Sequence, residues 1–129
     1  MDAMNVSFIA EVKQRLAAIC ELYRTIREIT AQVMTDFSIH ALDSVVQQRS
    51  LLLLRIDGER NALQKLQDPR AWKTYDHYWE IRKHIDVITQ LDREAVARVT
   101  TRMNKVRREL AALTDTSRAA GAYTRYSRF

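Results

Sequence analysis

Few side chains in this sequence have the type and spacing for chemistry. His77, Glu80 and His84 recur at i, i+3 and i+7, which puts them on one helix face and could gather metal ligands. The di-iron helical centre uses Glu-x-x-His on two helices together with further inward glutamates. Neither that motif nor a second copy is present, so the three side chains are expected on a solvated face. His84 beside Lys83 could accept a phosphoryl group, but the small residues such a site needs are missing around it. Cys20 is the single cysteine, which rules out an intramolecular disulfide and a cysteine-based zinc cluster. With no histidine near it in sequence to activate the thiol, it reads as a small apolar residue on a helix flank. There is no glycine-rich phosphate loop and no pair of acids in a credible cleft. The expectation is a protein with no catalytic residue, no metal, no cofactor and no small-molecule substrate, and hence not an enzyme.

Charge is more informative. The formal net charge is +5, and between Arg98 and Phe129 eight basic residues meet only Glu109 and Asp115, a local balance of +6. The excess positive charge therefore sits in the last quarter of the chain, the pattern of a surface that meets a partner. Arg102, Lys105 and Arg108 fall near one side of a helix, Arg118 follows them, and Tyr123, Tyr126 and Phe129 could stack on bases. One reading is thus a nucleic-acid-binding or transcription-regulating helical bundle. Glu109 interrupts the basic stripe, and the modest total charge argues against that reading.

These side chains must be carried by helices. With two glycines and one proline in 129 residues there is almost nothing to build hairpins, while Leu, Ala, Glu, Lys, Arg and Gln dominate. The class expected is all-α, in one domain spanning 1–129. A first helix over about 7–35 is predicted by Phe8, Val12, Leu16, Ile19, Tyr23, Ile26, Thr30 and Val33, with Asn5 or Ser7 as its cap. A second, over 38–67, carries Leu42, Val45, Val46, Leu52, Leu53, Ile56, Leu63 and Leu66, and the run Leu51 to Leu54 suggests burial against two neighbours. Gly58 within it would suit a close helix crossing. Asp68-Pro69 opens a third helix over 70–116, whose seam runs Tyr78, Ile81, Ile85, Ile88, Asp92, Ala95, Val99, Met103, Val106, Leu110 and Leu113. Asp92 in that seam either pairs with Arg49 or Arg60 or rotates to a solvated edge. Residues 117–129 are expected as a short tail. No apolar run reaches the ~18–20 residues of a membrane span, and the start lacks a signal-peptide pattern, so a cytoplasmic location is expected.

Helix lengths add a functional hint. The first two helices would each be about 42 Å long and the third about 57 Å. An antiparallel three-helix bundle of these elements leaves the basic end of a long third helix projecting. Val99, Met103, Val106, Leu110 and Leu113 continue its apolar stripe there, where exposure is costly unless something covers it. The cover could be the first helix, the returning tail, a second copy in a homodimer, or a helix of another protein.

The string Leu91-Asp92-Arg93-Glu94, the periodic helix to Leu113, and then Arg118-Ala119-Ala120 and Ala122-Tyr123 resemble flagellar export chaperones of the FliT/FlgN type. In that family an L-D-x-E element opens the last long helix, which closes on a basic residue, small residues and Ala-Tyr. The stretch from Gln48-Arg49 to Leu63 is similar to the family's R-x-x-L-I-x-x-L region. The match covers roughly the last 40 residues well and the rest loosely. This chain has Thr124 after the tyrosine, where the family usually has glycine. The resemblance implies a cofactor-free chaperone that binds an amphipathic helix of a filament-cap or hook-associated protein and passes it to the type III export gate. Val99, Met103, Val106 and Leu110, with Leu113 beyond them, would then hold the client helix, and Tyr123 would contact an export gate component.

Overall fold

Ser38 shows how the sequence cuts this chain into helices. Its backbone is extended and its hydroxyl accepts a hydrogen bond from the Ala41 amide at 3.1 Å, which starts a helix there. The computed structural model describes the backbone of residues 3–127 and the side chains of residues 5–121. Within these, α1 spans Ala3–Thr35, α2 spans Ile39–Leu66, a 3₁₀ segment spans Pro69–Thr74, and α3 spans Asp76–Ser127. The protein is all-α, with no strand among the described residues. No helix among them is long and apolar enough to cross a membrane.

The predicted boundaries near Thr35, Ser38 and Leu66 agree with the structure. Others differ for local reasons. Asn5 and Ser7 lie inside α1 and do not cap it, because the helix already runs from Ala3. Asp68 does act as a cap, its carboxylate accepting from the Arg70 amide at 2.9 Å, and hydrogen bonds from the Arg70 guanidinium first, then from that amide, hold its carboxyl below the usual range. The helix it opens is only a 3₁₀ turn, which ends at an extended Tyr75 before α3 begins at Asp76. At the other end, the helix predicted to stop at 116 continues to Ser127, so the expected tail is helical over its described backbone. Ala119, Ala120 and Ala122 are strong helix formers and no proline interrupts them.

The chain divides into two compact units, Met1–Asp92 and Arg93–Phe129. The first holds the core. Val12, Leu16, Ile19, Cys20 and Ile26 of α1 cluster with Ile56 and Leu63 of α2, Trp72 of the 3₁₀ segment, and Ile81 and Ile88 of α3. Burying each such side chain contributes about 1.5–3 kcal/mol. Periodicity in α1 found Val12, Leu16, Ile19 and Ile26 because one stripe of that helix faces the core, and Cys20 lies at its flank. Arg15 of α1 bonds Glu59 of α2 at 3.1 Å, and Arg49 of α2 bonds Asp92 of α3 at 2.7 Å and 3.0 Å. Asp92 is therefore paired with Arg49 and not with Arg60.

Two expectations for α2 fail. Leu51 and Leu54 are 67% and 68% exposed, because only one face of α2 meets the core, and the leucine run extends beyond it. Gly58 makes no close crossing, since a Cβ placed on it would meet nothing within 4 Å. The second unit, taken by itself, is the remainder of α3. Its described side chains are exposed except Ala95 and Val99, which are half-buried.

Candidate functional site

Two groups of residues could carry function, and they differ in kind. The first is the apolar stripe of the C-terminal unit. At about 100° per residue, Val99, Met103, Val106, Leu110 and Leu113 fall within about 80° of one another around α3. Val99 is half-buried, while Met103, Val106, Leu110 and Leu113 are 49%, 51%, 57% and 65% exposed. Arg102, Lys105, Arg108 and Arg118 are exposed on the same helix. The unit thus presents an apolar band among cations along one helix, chemistry that suits a partner surface with apolar and acidic groups. Tyr123 has its side chain outside the described residues.

The second group lies in the first unit. Cys20 of α1 is buried, and its thiol donates to Glu80 Oε2 of α3 at 3.5 Å. His77, one turn before Glu80, places Nδ1 3.6 Å from the same carboxylate oxygen. That separation is too long for a hydrogen bond, and the buried ring nitrogen has no other partner. The sulfur, the imidazole nitrogen and the carboxylate oxygen all lie within 4.8 Å of one another. Burial pushes the Cys20 thiol up to about 11, with the hydrogen bond and negative charge of Glu80 adding to the effect. The thiol is thus protonated and a poor nucleophile at neutral pH.

His84 is not part of this cluster: its Nδ1 lies 3.4 Å from Arg27 Nη1. The sequence placed His77, Glu80 and His84 together on one solvated helix face; Glu80 is exposed, while His77 and His84 are half-buried. Cys20, 57 positions before His77, could be found only from the register of α1 against α3. A further feature escaped the sequence reading: a pocket of about 380 Å³ with apolar walls including Leu16, Ile19, Ile56 and Trp72, beside Arg60 and Arg82.

No family model, curated protein or solved structure matches this chain.

Proposed function

We propose that this protein is a cytoplasmic flagellar export chaperone of the FliT/FlgN kind, binding an amphipathic helix of a filament-cap or hook-associated protein and delivering it to the type III export gate. The observation that carries the reading is the exposure of Met103, Val106, Leu110 and Leu113 in one stripe of α3. A client helix laid on that stripe would bury apolar surface on both partners, and release would return both to water. Arg102, Lys105, Arg108 and Arg118 would meet acidic groups on the client, and Tyr123 would meet the gate. The work is reversible association, with no bond made or broken.

In this reading, residues of the first unit form an antiparallel three-helix bundle. The pairs Arg15–Glu59 and Arg49–Asp92 favour α2 running against both α1 and α3.

The test is co-expression with the cap and hook-associated proteins of the same genome, followed by gel filtration. A complex is expected, and Val106→Asp with Leu110→Asp should abolish it while circular dichroism keeps its helical signal. Running the protein alone reports whether a second copy covers the stripe. Failure to capture any of these clients, together with binding to random DNA that weakens steeply with salt, would replace this reading with the nucleic-acid one.

A further inference from the structure

We propose that Cys20, His77 and Glu80 form a zinc site that ties α1 to the start of α3. The donor set of one thiolate, one imidazole and one carboxylate belongs to zinc chemistry, which accepts all three ligand types. Calcium and magnesium would select oxygen alone. The proposal departs from the sequence expectation of no metal because that expectation had only His77, Glu80 and His84 to consider.

Zinc–sulfur bonds of about 2.3 Å and zinc–nitrogen or zinc–oxygen bonds of about 2.0–2.1 Å, set at tetrahedral angles, separate neighbouring donor atoms by about 3.3–3.6 Å. Cys20 Sγ and Glu80 Oε2 are 3.5 Å apart, and His77 Nδ1 and Glu80 Oε2 are 3.6 Å apart. All three donors lie within 4.8 Å of one another, so the third edge needs only a modest side-chain adjustment to close.

The unpartnered His77 nitrogen is an independent sign. A buried imidazole nitrogen without a hydrogen bond is unusual in a folded protein. A metal at the centre of the triangle would give that nitrogen its partner. His77 and Glu80 stand on one face of α3, and Cys20 is fixed in the core of α1, so two helices hold the donors. A space of about 270 Å³ beside Cys20 and Glu80, lined also by Glu21, His84 and the cations Arg24, Arg27 and Lys83, has room for a water as fourth ligand. Of the cations nearby, Arg24 is engaged by Glu21 and Glu28, Arg27 is turned to His84, and Lys83 is exposed to water. On binding, the thiol releases its proton to bulk water, and its hydrogen bond to Glu80 is replaced by coordination of both groups to the metal.

Cobalt(II) titration of the full chain tests the site, since cobalt reports a tetrahedral thiolate environment by absorbance and zinc displaces it. Expected are a thiolate-to-cobalt charge-transfer band at one equivalent, its loss on adding zinc, and a melting midpoint that rises with zinc concentration. His77→Gln and Glu80→Gln should each weaken cobalt binding by at least about tenfold, because even changes outside the ligand sphere cost that much. These two side chains are partly exposed, so their substitution leaves folding intact, whereas Cys20→Ala in the core serves as a second variant if its helical signal is retained. No charge-transfer band, or a band undiminished in the His77→Gln, Glu80→Gln double variant, overturns the site. No residue of the α3 stripe takes part, so either result leaves the chaperone reading to its own test.

Discussion

Arg49 on α2 holds Asp92 on α3 with both ends of its guanidinium, Nη1 to Oδ1 at 2.7 Å and Nη2 to Oδ2 at 3.0 Å. Asp92 occupies a seam position that would otherwise take an apolar residue, and it is also the last residue of the first compact unit. Its side chain is 42% exposed and that of Arg49 23%, so water screens the pair in part. Asp92→Ala and Arg49→Ala should each lower stability to urea by about 1 kcal/mol, near the upper end for partly exposed pairs. Arg49→Lys keeps the charge but loses the fork, and should recover less than half of that. Urea melts of the singles and the double give the coupling energy, and strictly additive losses would show that the pair contributes nothing.

A buried leucine of α2 and an exposed leucine of α3 should respond differently to truncation. Leu63, fully buried on α2, packs into the same core as Ile81 and Ile88 of α3. Leu63→Ala should cost about 2–5 kcal/mol. Leu110→Ala, at a position 57% exposed, should change stability by less than about 0.5 kcal/mol while weakening client binding. Denaturation midpoints decide the first pair of values, and a large loss for Leu110→Ala would mean that the stripe is structural.

Gly58 offers a gain. It lies inside α2, its φ is not positive, and the space a Cβ would fill is open. Gly58→Ala should therefore raise stability by about 0.5–1 kcal/mol through the entropy of the unfolded chain. A thermal melt that moves down would point to a contact at this position in solution.

The Cys20 thiol makes stability depend on alkaline pH. Burial raises its pKa from 9.0 to about 11, so between these values the unfolded chain loses the thiol proton while the folded chain keeps it. The stabilisation is full below about 9 and is lost as pH rises through about 11. In chelator-treated buffer, urea stability should fall across that window, and Cys20→Ala should flatten the fall. Equal slopes in both proteins would show that other groups dominate.

The helical class, the Thr35 and Ser38 boundaries and the α1 core positions were legible because each rests on local rules: periodicity, capping, and the scarcity of glycine and proline. The Arg49–Asp92 pair was legible as one of two partners, since a charge in a seam calls for its opposite. The Leu51–Leu54 run misled because hydrophobicity alone does not say how many sides of a helix are covered. The third-helix start misled because Asp68 and Pro69 suit the opening of a 3₁₀ turn as well as that of an α-helix. The Cys20–His77–Glu80 cluster was out of reach, because it depends on which turns of α1 and α3 lie side by side.

One sulfhydryl buried in the first unit, and none after it, makes the chain its own clock. Cys20 is only 5% exposed, so a thiol-modifying reagent too bulky for the space beside it reacts mainly during transient openings of the packed region. When reclosure is fast relative to labelling, the labelling rate measures how often that region opens. Arg93–Phe129 carries no thiol, so the signal comes from the first unit alone. Labelling with and without a bound partner would therefore show whether engagement of the exposed helix is felt in the core at all.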